Sequence, residues 1–189
     1  MLSKNPEIRV YAGPNGSGKS TIASDEDIIL PYINADDIQK SRNISNIEAA
    51  QIATAMRDLA VDQKISFTFE TVLSTDRNLL LLERAKKSGY FIRCAFILTY
   101  DPSINILRVK DRVANGGHDV PNDKIVSRYY KAISIIPRLM KVCDRLNIYD
   151  NTTDTPVRIF KKRNESYEIF DNQIWTNEEI VNLIQFGHK

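Results

Sequence analysis

The sequence is poor in the residues that mark several protein classes. Two cysteines, Cys94 and Cys143, cannot build a disulfide framework in a chain of 189 residues. They lie far apart in apolar surroundings and read as two buried free thiols. Two histidines, with no cysteine at ligand spacing, give no zinc pattern. Charge of either sign is not in surplus: 26 Lys and Arg face 24 Asp and Glu, a formal net charge of +2. No global basicity therefore argues for nucleic acid or membrane binding, and any cationic site must be local. No apolar run reaches the roughly 18 residues of a spanning helix. The opening "MLSKNPEIRV" has no apolar core of a secretory signal. The expectation is a cytoplasmic protein with no membrane partner.

What is present is an alternation of strands and helices over one domain, 1–189. "IRVYA" (8–12) reads as a buried strand, followed by a helix from near Gly18 to about Ile29. A short strand falls at Tyr32 and Ile33. Ser45 and Glu48 form a capping box for a helix to about Lys64, with Ile52, Met56 and Leu59 on one face. "SFTFE" is a third strand, and Thr75 or Asp76 opens the helix that ends at Gly89. "YFIRCAFILTY" reads as a central strand. Asp101-Pro102 starts a helix that Gly116-Gly117 ends. The next helix begins near Pro121 or Asn122 and meets Pro137, where it should kink or break. "LNIYD" is a further strand. "VRIFKKR" and "SYEIF" suggest a hairpin, and Thr176 with Glu179 caps a last helix ending at Gly187. Such alternation implies an α/β fold, a parallel sheet with helices on both faces, plus a small C-terminal hairpin and helix at 157–187.

Gly13-Pro14-Asn15-Gly16-Ser17-Gly18-Lys19-Ser20 fits G-x-x-x-x-G-K-[ST], with Thr21 following. Glycines permit positive φ, so backbone N–H groups can converge on phosphate oxygens, and the next helix adds its positive N-terminal end. Lys19 would reach the β- and γ-phosphates, and the Ser20 hydroxyl would ligate Mg²⁺. The spacing is not that of a dinucleotide-binding G-x-G-x-x-G loop. A P-loop nucleotide-binding fold is the reading, with ATP and Mg²⁺ as ligands.

No apolar run ends in the paired acids of a motor or switch ATPase, and no "LSGGQ"-type segment is present. Instead "INADDI" sets Asp36 and Asp37 just after the second strand, and "FTFET" sets Glu70 just after the third, with Thr71 following. Strand carboxyl ends face the ligand crevice of such a sheet, so Asp36, Glu70 and Lys19 should converge. One carboxylate could deprotonate an attacking hydroxyl and the other hold a polyol. Helix capping is the plain alternative for Asp36 and Asp37, and a solvated strand end for Glu70. Arg108 and Arg112 share a helix face, and Arg128 returns on the next helix, with Lys124 and Lys131 near it. Two helices with inward arginines around a glycine hinge, 103–136, describe a lid that would steady transferred charge. Solvated faces with routine ion pairs are the alternative there. His118, in the hinge, reads as a loop contact.

"GPNGSGKST", "INADD", "FET" and "RVANGGHDVP…SRYY", in this order over about residues 8 to 151, resemble the zeta toxin-like kinase family. The resemblance implies an ATP- and Mg²⁺-dependent kinase whose better-known members phosphorylate the 3'-hydroxyl of UDP-N-acetylglucosamine and are blocked by an antitoxin protein. It gives Asp36 the role of general base, Lys19 and Ser20 the phosphate and Mg²⁺ contacts, Glu70 a sugar contact, and Arg112 and Arg128 the grip on the transferred phosphate. The family has a hydroxyl residue two places after the sugar-binding acid. Here that place is Val72, with Thr71 adjacent. Two other functions remain open on the residues alone. One is a kinase for a nucleoside or a polynucleotide 5'-hydroxyl, for which "SRYYK" and "RIFKKR" would be the contacts. The other is a nucleotide-dependent module acting through a protein partner.

Overall fold

A computed structural model describes residues 5–25, 28–153 and 155–188 of the chain. Fifteen elements follow one another among them. In chain order they are β1 (Glu7–Ala12), α1 (Lys19–Asp25), β2 (Tyr32–Ile33), α2 (Ala35–Arg42), α3 (Asn46–Asp62), β3 (Phe67–Thr71), α4 (Asp76–Lys87) and β4 (Phe91–Leu98). Then come α5 (Pro102–Ala114), α6 (Asn122–Ser134), α7 (Ile136–Val142), β5 (Arg145–Asp150), β6 (Val157–Arg163), β7 (Ser166–Ile169) and α8 (Asn177–Phe186). The seven strands form one sheet in the order β2-β3-β1-β4-β5-β6-β7. The first five run parallel, while β6 and β7 are antiparallel to their neighbours. The hairpin thus extends the sheet beyond β5. β1 lies between β3 and β4, so the loop leaving its carboxyl end emerges next to the carboxyl end of β3.

Alternation along the strands divides the sheet into two unequal faces. Ile8, Val10, Phe67, Phe69, Ile92, Phe96, Leu146 and Ile148 belong to the main core, together with side chains of α3, α4, α6, α7 and α8. Phe67, Phe69 and Phe96 are fully buried, and burial of one such side chain contributes about 1.5–3 kcal/mol. On the other face Tyr11, Ala95 and Ile97 pack with Ile22 and Ala23 of α1 in a smaller cluster. Cys94 and Cys143 are both buried and unbridged, as their surroundings imply. A hydrogen bond between them and burial push the Cys94 thiol well above its usual range.

Most element boundaries fall where the capping residues put them. Both capping boxes form, Ser45 with Glu48 and Thr176 with Glu179. The Asp101 side chain accepts from the Ser103 N–H at 2.8 Å, with Pro102 inside the first turn. α6 ends before Pro137 and α7 restarts there. Trp175 is buried edge-on against Tyr100 at 5.1 Å. Two expectations need correction. The helix after the glycine loop is described as far as Asp25, and Ile28 and Ile29 are not helical. Glu26 and Asp27 lie outside the described residues, and the Ile29 N–H donates instead to Thr68 Oγ1 of β3 at 2.7 Å. In α3 the buried face is Ala49, Ala53, Arg57, Ala60 and Val61, whereas Leu59 is 55% exposed and Met56 37%. Small side chains let the helix pack closely, so the larger ones turned outward.

Candidate functional site

The turn from β1 into α1 is built on positive φ: +147° at Gly13, +76° at Gly16 and +88° at Gly18. Close approach forbids a side chain at each. A Cβ would lie 2.0 Å from the Ile97 carbonyl oxygen at Gly13, and 2.2 Å from Asn151 Nδ2 at Gly18. Two buried amides hold the loop from outside. Asn105 of α5 donates to the Asn15 carbonyl at 2.7 Å, and Asn151, just past β5, donates to the Ser17 carbonyl at 2.8 Å. Turning loop carbonyls outward leaves N–H groups for a ligand inside, the geometry of an anion cradle. Ser17 is buried with an unpartnered hydroxyl. Sequence reasoning missed both asparagines, since nothing local marks side chains that arrive from 90 and 134 residues away.

Lys19 donates to the Gly13 and Pro14 carbonyls, each at 2.9 Å, so its amine is folded back over the loop. Burial lowers its pKa to about 8, against the opposing pull of Glu70 and Asp36 and with a further push from Arg112. Those four groups therefore share one field, as the strand-end argument requires. Asp36 lies in the first turn of α2, whose cap is Asn34: its side chain accepts from the Asp36 N–H at 2.9 Å. The Asp36 carboxylate is thus not consumed as a cap, and it lines the cleft. The Asp37 side chain is not part of that lining.

Glu70 ends β3 in a network. The Ser20 hydroxyl donates to its Oε2 at 3.2 Å, and the Tyr32 hydroxyl donates to its Oε1. Burial, then that bond to Glu70, raise the Tyr32 pKa. The Thr71 hydroxyl accepts from the Leu73 N–H at 3.0 Å and from Asn78 Nδ2 at 2.7 Å, which leaves its own proton to give. Across the cleft, Arg128 Nη1 donates to Asn15 Oδ1 at 3.3 Å and Arg112 Nη2 to the His118 carbonyl at 2.6 Å. His118 meets Asn46 of α3 at 3.0 Å and is a loop contact. Arg108 clamps the Asn151 and Thr153 carbonyls. Arg112, near the end of α5, and Arg128, midway along α6, both line the cleft. The body of α6 is tied down by buried Tyr129, whose hydroxyl donates to the Thr99 and Tyr100 carbonyls. Thr21 and Lys124 also line the cleft, and Lys131 does not.

All of this encloses a cleft of about 770 Å³. Its far wall holds a residue the sequence did not flag. Arg57 of α3 is only 6% exposed, lies over the Phe69 ring at 5.1 Å and lines the cleft. Its Nε has no partner and no carboxylate lies within ion-pairing distance of it among the described residues. Burial lowers its pKa to about 10. The available signal was its place four residues after Ala53, on the small-residue face of α3.

Comparison with known proteins fits this geometry. The zeta toxin family model matches residues 29–174. A Haemophilus influenzae protein described as uncharacterized is 33% identical over 125 residues, 63% of this chain and 89% of that protein. Among solved structures, the AvrRxo1-ORF1:AvrRxo1-ORF2 complex with sulphate ions superimposes with a TM-score of 0.74 at 15% identity. The match covers 98% of this chain and 65% of the other, so this chain spans less than two thirds of that relative's length. A further structure of that complex, with ATP, gives 0.73. The PezAT chromosomal toxin-antitoxin system of Streptococcus pneumoniae gives 0.56 at 20% identity, over 83% of this chain and 72% of that one. These are likenesses of fold. Among the described residues no helix is long and apolar enough to cross a membrane. By its match over most of its length, the chain belongs to the zeta toxin family, and its fold is that of the P-loop kinases.

Proposed function

We propose that the protein transfers the γ-phosphate of ATP to a hydroxyl of a small anionic acceptor, a UDP-sugar being the first candidate. The observation that carries this reading is the convergence of Lys19, Asp36, Glu70, Arg112 and Arg128 on one cleft. The loop N–H groups and Lys19 would hold the phosphates. Ser20 is the ligand offered to Mg²⁺, a hard cation that takes few protein oxygens and keeps several waters. When bound, Mg²⁺ neutralises charge on the phosphate oxygens.

In this mechanism Asp36 takes the proton of the acceptor hydroxyl as it attacks. Arg112 and Arg128 leave their loop contacts and steady the charge that gathers on the transferred group. Glu70, fixed by Tyr32, orients the acceptor's hydroxyls beside Ser20, and Thr71 donates to one of them. Arg57 selects the acceptor class. A buried guanidinium without a counter-ion is costly, and a ligand phosphate supplies what the protein lacks. That supports a diphosphate-bearing acceptor over a neutral sugar. The family also supports an antitoxin protein as partner.

The test is incubation with γ-labelled ATP, Mg²⁺ and a panel of UDP-sugars beside neutral sugars and nucleosides. Label is expected on a UDP-sugar, with Asp36→Asn losing about 10²–10⁴ in rate while still binding ATP. Label released only as free phosphate would remove the kinase assignment. Label on a neutral sugar alone would remove the role given to Arg57.

A further inference from the structure

A second concave site lies on the open half of the sheet, away from the cleft. Register places Arg9 of β1 beside Arg93 of β4, Arg93 beside Arg145 of β5, and Arg145 beside Arg163 of β6. Four arginines therefore form a row across four neighbouring strands, on the face opposite the main core. With strands about 4.8 Å apart, the row spans roughly 15 Å. Lys161 and Arg158 of β6 flank it, and together these side chains line a cavity of about 390 Å³. It shares no lining residue with the phosphate-loop cleft. Arg9 lies roughly 13 Å down β1 from Gly13.

Folding does not explain the row. Like charges directly opposite one another across a sheet are destabilising. Glu7 is the carboxylate ion-paired within it, at 2.9 Å from both Arg9 and Arg93. Among the described residues no carboxylate makes an ion pair with Arg145, Arg158, Lys161 or Arg163. The Nε atoms of Arg145 and Arg158 are sheltered and have no partner. Their charge is left for something outside the chain to neutralise.

The geometry points to a binding site for a linear oligophosphate, its phosphoryl groups laid along the arginine row. Guanidiniums in a fixed plane suit phosphate oxygens, which they bind with paired N–H donors. A single phosphate would meet only part of a row this long, and a cavity of this volume suits a small ligand. A single-stranded nucleic acid would need open aromatic platforms for its bases. Here Phe91 lies under Arg93 and Arg145, at 5.6 and 5.8 Å, and Phe170 lies under Arg158 at 4.7 Å. The rings are taken. An acidic strand has no edge to pair with on this face, because β1, β4 and β5 are interior strands.

Calorimetric titration of the full chain with inorganic tripolyphosphate tests this. Lys19→Ala weakens the loop site, so the event remaining in that variant is the one to follow. Adding Arg145→Gln should weaken it about tenfold or more, and Arg145→Gln with Arg163→Gln about a hundredfold or more. Arg163 lies exposed beside the hairpin turn, so Arg163→Gln alone is a variant whose folding is not at issue. In the chain with Lys19 intact, Arg145→Gln and Arg163→Gln should each leave ATP transfer unchanged, because neither arginine borders the cleft. Tripolyphosphate affinity unmoved by these substitutions would overturn the site. So would a single-stranded oligonucleotide binding more tightly than tripolyphosphate at equal phosphate concentration. Either result leaves the kinase proposal standing.

Discussion

Lys19 carries the sharpest consequence at the scale of a single residue. Its pKa falls from 10.5 to about 8, chiefly through burial. In the unfolded chain the amine keeps its proton until about pH 10.5; in the folded protein it releases it near 8. Between those values the unfolded state binds more protons, so this residue's contribution to stability rises with pH, while below about 8 a constant penalty remains. Phosphate affinity moves the other way, because the cation is the form that attracts phosphate. ATP affinity should fall by up to about tenfold per pH unit above about pH 8. Nucleotide titrations from pH 7 to 10 check this, and Lys19→Met should show a weak and flat profile. A flat profile in the unaltered protein would mean that the amine stays charged. The glycine loop and the place of Lys19 in it were legible because glycine spacing and the Lys-Ser pair are local. Asp36 was singled out from Asp37 only by the family resemblance; in the structure Asn34 takes the cap, and Asp36 is the one that lines the cleft. Arg57 was hidden in a helix whose bulky apolar residues drew attention to the wrong face.

Elements were legible where the signal acts within its own turn, through a side-chain bond or a proline's missing N–H. Both capping boxes, Asp101-Pro102 and the break at Pro137 are of this kind. The departure of Ile29 from the helix was not, since its N–H is taken by a residue on a strand 39 positions away. The same distance problem hid the outer supports of the phosphate loop. Asn105 also accepts from the Thr99 hydroxyl, so one buried amide ties α5, the end of β4 and the loop together. Asn105→Leu keeps the volume but strands the Asn15 carbonyl. The expected cost is about 1–3 kcal/mol in stability, read by urea unfolding. ATP affinity should fall roughly tenfold, since binding must then order a looser loop. Lost stability with full affinity would show that the loop is rigid without its outer contacts.

The order of strands in the sheet could not be read from sequence, because neighbours such as β1 and β4 meet through register rather than proximity along the chain. That register also turns a balanced composition into an unbalanced surface. A net charge of +2 conceals four arginines side by side on one face. Arg93 and Arg163 are the first charges to push the Arg145 pKa down, after burial. Repulsion of this kind is screened by salt, whose Debye length shrinks from about 30 Å at 0.01 M to about 10 Å at 0.1 M. The unliganded protein should therefore gain thermal stability as sodium chloride rises over that range. Arg145→Gln should begin more stable than the parent at low salt, by about 0.2–1 kcal/mol, and the two should converge at high salt. Tripolyphosphate should reverse the ranking, because it binds the folded parent more tightly than the variant. Differential scanning calorimetry of both proteins, at both salt concentrations and with and without tripolyphosphate, gives the comparison. Equal stability at low salt would mean that the row is already neutralised within the chain.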